Sequence, residues 1–153
     1  MALSNDRQVG VADGNVVLDL FVLQQRIGEL MEAALAGTGV RPAEYAVYSQ
    51  LGIAAMTPRE LGARLGVTPS TLTGHLAALE RRGHVERTAN PADGRSSLVG
   101  LTREGRATLT RCRRGFRRML AAFESALPMP PDELRATLLA VDAAAASAIG
   151  PLT

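Results

Sequence analysis

Two helix starts, Thr57-Pro58-Arg59-Glu60 and Thr68-Pro69, stand so close together that the chain between them has room for only a few helical turns. In the first, the threonine hydroxyl can cap free backbone amides, proline occupies the first helical position, and glutamate is placed to reach back to the cap. Leu65-Gly66-Val67 separates the two starts, and Gly66 suits a left-handed turn that a side chain would strain. Leu72, Leu76 and Leu79 form a helical stripe that faces Leu61 and Leu65 of the preceding helix. The second helix stops at Arg81-Arg82-Gly83, with basic residues in its last turn and glycine after it. The spacing therefore predicts a helix-turn-helix.

The face of the second helix opposite its leucines carries Ser70, Thr71, Thr73, Gly74 and His75. Small and hydrogen-bonding groups near a helix N-terminus suit base edges and phosphates in a DNA major groove, which such a helix enters N-terminus first. Past Gly83 the period changes. Val85 to Thr88 and Ser97 to Leu101 alternate as strands do, around the turn-forming Asn90-Pro91-Ala92-Asp93-Gly94. This hairpin is a wing. Arg87 on its first strand and Arg95 beyond its turn are candidate DNA contacts, and Asp93 stands where its carboxylate can orient Arg95 toward a narrow minor groove.

Charge is distributed to match. The chain of 153 residues carries a net charge of only +2, yet Thr57 to Arg118 holds thirteen arginines against five acids, and each flank is net negative. Basic charge concentrated on the reading element and the helix after it is a phosphate-binding footprint. All seventeen basic residues are arginine, so the argument rests on where the charge lies and not on the choice of residue.

The remaining segments read as helices. Asn15 to Ala36 bears two apolar stripes, Val16-Leu20-Leu23-Ile27-Leu30-Ala34 and Val17-Phe21-Met31-Leu35, a face broad enough to imply another subunit. Arg41-Pro42 opens a short helix with Tyr45, Val47, Tyr48 and Leu51. Thr102 caps a long helix to about Ala126, in which Leu109, Cys112, Phe116, Met119, Phe123 and Leu127 make a coiled-coil-like seam. Pro128, Pro130 and Pro131 interrupt the chain before a last helix carrying Leu134, Leu138, Val141 and Ala145. Residues 1 to about 12 are expected to fray. The expected fold class is mainly α with a small β-wing: a winged helix-turn-helix lobe plus a helical dimerisation lobe from the N- and C-terminal helices.

Composition excludes several classes. No apolar run behind a basic start suggests a secretory signal, and no stretch approaches the roughly 18 to 20 apolar residues of a membrane span. One cysteine provides no disulfide framework and fits a cytoplasmic location. The absence of tryptophan and the scarcity of aromatics argue against a single-strand stacking surface. Two histidines and one cysteine far apart in sequence make no metal site, and no nucleophile elbow, phosphate loop or dinucleotide fingerprint points to an enzyme or a cofactor.

The run TPRELGARLGVTPSTLTGHLAALERRGHVER, the Asp93-Gly94-Arg95 turn and the following Leu101-Thr102-Arg103-Glu104-Gly105 resemble the MarR family of bacterial transcription regulators. The resemblance implies one domain over 1–153, with segments 13–37 and 119–150 forming the dimerisation lobe. Residues 41–118 would form the DNA-binding lobe and the connecting long helix. It further implies a homodimeric repressor of double-stranded DNA, reading half-sites about 10 base pairs apart through helix 69–82 and wing 85–101. A small aromatic or phenolic ligand would bind between the lobes, with Tyr45, Tyr48 and Phe116 as candidate contacts. Gly74 and Ala78 depart from the larger polar residues that many such sequences carry, which shifts sequence preference toward the wing and DNA shape.

Other readings stay open on the residues alone. His75 either donates to DNA or packs half-buried beside Leu79, and His84 packs at the base of the wing. Cys112 is a small buried residue of the seam, or the sensor of an oxidant-responsive regulator whose thiol the adjoining arginines would activate. A winged helix that binds only protein is the alternative to DNA binding.

Overall fold

The computed structural model describes residues 9–150, and the expected fraying at the N-terminus lies largely outside them. The described chain divides into two compact units, one ending at Phe116 and the other beginning at Arg117. In the first, α1 (Val16–Leu35) starts where the Asn15 side chain accepts from the amides of Val17 and Leu18, each at 3.1 Å. Pro42 opens α2 (Pro42–Leu51). The helix-turn-helix follows as α3 (Pro58–Leu65) and α4 (Pro69–Arg81). Thr57 and Glu60 form the reciprocal capping box that their spacing predicts, the Thr57 amide donating to the Glu60 carboxylate at 2.8 Å. Gly66 ends α3 at φ +63°, the left-handed turn expected of it.

The wing consists of β1 (Val85–Ala89) and β2 (Ser97–Leu101), antiparallel and in register with Val85 opposite Leu101 and Ala89 opposite Ser97. Met56 forms an isolated bridge to Val99, with the two amides donating across it at 3.1 and 2.9 Å. The wing is thereby fastened to the loop before α3, a contact that strand alternation does not announce. The long helix α5 (Arg103–Ala126) begins where the Thr102 hydroxyl accepts from the amide of Gly105 at 3.1 Å. Gly105 packs so closely on the chain leaving α4 that an added Cβ would lie 2.0 Å from the His84 carbonyl oxygen. In the second unit, α6 (Pro131–Ile149) takes Pro131 as its first residue, where proline's missing amide costs nothing, and buries no residue fully.

One continuous core fills the first unit: Tyr48, Leu51 and Val47 of α2, Leu61 of α3, Leu76 and Leu79 of α4, Val99 of β2, and Leu109 and Cys112 of α5. Leu72, Leu76 and Leu79 are the buried stripe of α4, as their spacing predicts. Within this core α2 is central, because it carries a buried charge as well as apolar groups. Glu44 has no exposed surface, and its carboxylate meets Arg82 at 3.1 and 3.2 Å while accepting the Arg41 amide at 3.0 Å. Burial pushes the Glu44 carboxyl upward, but the Arg41 amide and the Arg82 guanidinium outweigh it and hold it below the ordinary glutamate value. Arg82 is 39% exposed in its side chain against none for Glu44. The two partners are therefore unequal.

Removing Arg82 strands a buried carboxylate, whereas removing Glu44 leaves an arginine that water can rescue. Arg82→Ala is expected to cost about 3 kcal/mol and Glu44→Gln about 1 to 2, measured by urea denaturation at neutral pH. Because the folded-state carboxyl lies low, its stabilisation is present above the unfolded value and disappears as pH falls through the folded one. The gap between wild type and Glu44→Gln should accordingly narrow below about pH 4.5. Equal costs for the two variants would contradict the asymmetry.

Candidate nucleic-acid interface

The N-terminal end of α4 is built from hydroxyls. Thr68 caps it by accepting from the Thr71 amide at 3.3 Å, and its own hydroxyl donates to that of Thr71 at 2.9 Å and lies 3.2 Å from that of Ser70. Thr73 donates to the Pro69 carbonyl at 2.8 Å, which leaves its oxygen as an acceptor. Ser70, Thr71, Thr73 and Gly74 are all exposed, and no acidic residue stands in the first turn. A helix end with free amides and no local carboxylate favours an approaching anion. His75 is half-buried, the degree of burial expected of a histidine packed at the edge of the helix. An added Cβ at Gly74 would meet nothing within 4 Å, so no contact inside the protein requires glycine there.

The wing tip is held by its own hydrogen bonds. The Asn90 side chain accepts from the Ala92 amide at 3.0 Å and donates to Ser96 at 2.8 Å, while the Ser96 amide donates to the Asp93 carbonyl at 3.1 Å. Asp93 acts differently from the expectation that it would orient a guanidinium. Its carboxylate accepts from the backbone amide of Arg95 at 3.0 Å, closing an Asx turn that sets the chain beneath Arg95 and leaves the side chain exposed.

Arg87 is not free on its strand. Its Nε donates to the Glu80 carboxylate at 2.7 Å, tying β1 to the last turns of α4, with both side chains partly exposed. Thr73 and Arg87 also line one cleft of about 330 Å³ between α3 and α4, together with Arg59, Pro58 and Leu76. The fold thus gathers Thr73 and Arg87 on one concave surface. Arg59, placed there with them, carries in the sequence only its charge and its position one residue after the α3 proline as signals.

The proposed ligand contacts fall in the core. Tyr48 is fully buried and its hydroxyl hydrogen-bonds His84 Nδ1, so its burial is that of a structural residue. Tyr45 is buried too and packs against half-buried Phe116 with ring centroids 4.7 Å apart. His84 does sit half-buried at the base of the wing, as expected. Cys112 has no exposed surface, and burial pushes its thiol up despite nearby Arg111, the opposite of an activated sensor. Among the described residues no cluster of histidine, cysteine and carboxylate side chains is arranged to hold a metal, and no helix is long and apolar enough to cross a membrane.

Comparison with known proteins agrees with this geometry. The MarR family model matches residues 38–96, from the loop before α2 to the wing tip. The HTH-type transcriptional repressor YetL of Bacillus subtilis is 33% identical over 112 residues, covering 71% of this chain and 67% of that one. This chain belongs to the MarR family. Among solved MarR-like structures, a Mycobacterium tuberculosis transcriptional regulator, MOSR, in complex with DNA superposes with a TM-score of 0.74 at 25% identity, covering 88% of this chain and 98% of that one. The repressor CouR bound to a 23-mer DNA duplex superposes with a TM-score of 0.73 at 27% identity, covering 92% and 99%. CouR from Rhodococcus jostii RHA1 is also known bound to p-coumaroyl-CoA, with a TM-score of 0.69 at 28% identity over 80% of this chain and 91% of that one. As a MarR-family member, the protein is a DNA-binding transcriptional regulator and not an enzyme.

Two substitutions test the surface directly. Gly74→Ala fills open space in an exposed helix, so it should raise stability by about 1 kcal/mol in a thermal melt while weakening DNA binding. Tighter binding by this variant would show that the backbone at Gly74 stays clear of DNA. Glu80→Gln releases Arg87 at a stability cost below about 1 kcal/mol. Affinity at fixed salt should rise, because Arg87 no longer gives up a carboxylate to reach a phosphate, and an unchanged affinity would leave Arg87 outside the interface.

Proposed function

We propose that this MarR-family protein is a homodimeric, ligand-responsive repressor that binds a pseudo-palindromic operator. Its two copies of helix 69–82 would enter successive major grooves, and its wings, residues 85–101, would reach the flanking minor grooves. The observation that carries this reading is the exposed, hydroxyl-rich end of α4 with no acidic residue in its first turn. Ser70 and Thr71 would meet phosphates, and Thr73, with acceptor capacity remaining, suits an amino donor on adenine or cytosine. Gly74 would admit the backbone close to the groove, and His75 would reach a base or phosphate from the helix edge. Arg95 would enter the minor groove from the Asp93-braced turn, with Arg87 on a phosphate nearby.

Support for a homodimer comes from side chains that a solitary chain would leave in water. Val16, Val17, Leu18 and Phe21 of α1 are exposed, as are Leu138 and Leu139 of α6. Clusters of large apolar side chains on helices mark contact surfaces. A repressor of chromosomal operators acts in the cytoplasm. For the effector, the p-coumaroyl-CoA held by CouR supports an aromatic acid or its thioester, and the Tyr45–Phe116 ring pair is the wall we assign to it. Tyr48 would act there through its hydrogen bond and not by direct contact.

Arg95→Ala is expected to weaken binding to a selected duplex by about 1 to 3 kcal/mol, read by fluorescence anisotropy at fixed salt. Unchanged affinity would remove the wing from this account. Light scattering at micromolar concentration should report a dimer; a monomer would sink the paired-groove arrangement.

A further inference from the structure

More than half of the thirteen arginines between Thr57 and Arg118 lie past the wing, on α5: seven, from Arg103 to Arg118, against Glu104 alone. In the reading head two guanidiniums are already committed, Arg82 to Glu44 and Arg87 to Glu80. Arg103, Arg106 and Arg114 of α5 are exposed, and among the described residues none of the three is ion-paired. At about 100° of rotation per residue they fall within about 80° of one another, facing away from the buried Gly105, Thr108, Leu109 and Cys112. They form a stripe roughly 16 Å long. Arg111, at its border, is held differently, donating to the Thr108 hydroxyl at 3.0 Å.

We propose that this face of α5 is a sequence-independent phosphate-binding surface that holds the duplex DNA flanking the operator. The inference rests on α4 and the wing contacting the operator, because they define which DNA is flanking. The fold puts the stripe outside the base-reading contacts. The Thr102 hydroxyl donates to the Gly83 carbonyl at 2.7 Å, so α5 begins at the C-terminal end of α4, the end opposite Thr68 to Thr73. The 13 residues of α4 separate those two ends by about 20 Å. DNA continuing past the wing reaches Arg103, Arg106 and Arg114 by curving toward the lobe, an elastic cost that several phosphate contacts offset.

Charge complementarity selects the occupant. Phosphates on one DNA strand advance by about 3.4 Å along the axis, so a stripe of this length spans about five of them. Three long, unpaired guanidiniums can each meet one without reading a base. A protein partner is the poorer fit, because its interface needs apolar or aromatic anchors to bury at the centre. Between these arginines the exposed positions are Ala107 and Thr110, too small to anchor anything.

The test compares the wild type with a variant carrying Arg103→Gln, Arg106→Gln and Arg114→Gln together, and with a second carrying lysine at the same three positions. Circular dichroism confirms that each is folded. The probes are a duplex selected from a random-sequence library by the wild type and trimmed to its two half-sites, and the same duplex extended by about 10 base pairs at each end, one helical turn. Scrambled duplexes of both lengths are the controls. At fixed salt the glutamine variant should bind the extended duplexes, selected and scrambled alike, about ten-fold more weakly than the wild type, and the trimmed ones less than about two-fold more weakly. Its slope of log affinity against log salt on extended DNA should be shallower by about two to three units. The lysine variant should match the wild type, because a phosphate contact of this kind needs only a point charge. No loss, an equal loss at both lengths, or a loss in the lysine variant would overturn the proposal. Light scattering should give one mass for all three proteins; a changed mass in the glutamine variant would assign the face to a second copy of the chain and overturn the DNA reading of it. A wild type that does not prefer the selected duplex would remove the operator reading, while the length dependence on scrambled DNA would still decide whether α5 holds a duplex.

Discussion

A carboxylate without exposed surface survives in this fold because a guanidinium from another helix reaches it. Glu44 and Arg82 are far apart in sequence, and their meeting fixes where the end of α4 lies against α2. Apolar packing alone lets helices slide and rotate at modest cost, since Leu72, Leu76 and Leu79 would find alternative partners. An ion pair with a defined hydrogen-bond geometry is less forgiving. We regard the pair less as a source of stability than as a registration device, because desolvating Glu44 offsets much of the attraction.

From that fixed point the rest of the DNA-binding lobe can be followed outward. The α4 N-terminus lies several turns from Arg82, so its exposed hydroxyls are carried by a helix anchored at its far end. In the other direction His84, the Met56–Val99 bridge and the Glu80–Arg87 pair attach the wing to α2, to the loop before α3 and to α4 in turn. The wing is therefore a short hairpin with three lateral attachments, which suits a two-stranded sheet too small to be stable alone. Only its tip is left to its own hydrogen bonds, and that is where Arg95 projects.

Features whose chemistry is local were legible in the sequence. Thr57, Glu60, Thr68 and Gly66 announce their caps and turn because each bond they make falls within a few residues. The leucine stripe of α4 and the strands around Asn90 to Gly94 were legible for the same reason. What escaped depends on distant partners. Glu44 counts in the sequence only toward the acidic balance of its flank, although it shares a helix face with Tyr48 and Leu51, and that placement was the available signal for a buried acid. Arg82 read as a helix-end charge, while its tertiary partner gives it a different task. Asp93 and Arg95 were placed together correctly, but spacing cannot tell a carboxylate that orients a side chain from one that closes a turn on the backbone. Tyr48 read as a ligand contact because an aromatic residue of a short helix does not reveal which way it faces.

The central claim is that helix 69–82 reads the major groove while the wing, from residue 85 to 101, reads the minor groove on either side of a two-fold axis. Methylation interference on a selected duplex tests it most directly, because it distinguishes guanine N7 in the major groove from adenine N3 in the minor groove. The account predicts two major-groove patches about one helical turn apart, each with a minor-groove patch on its outer side. A single unbroken patch, or interference confined to one groove, would contradict it.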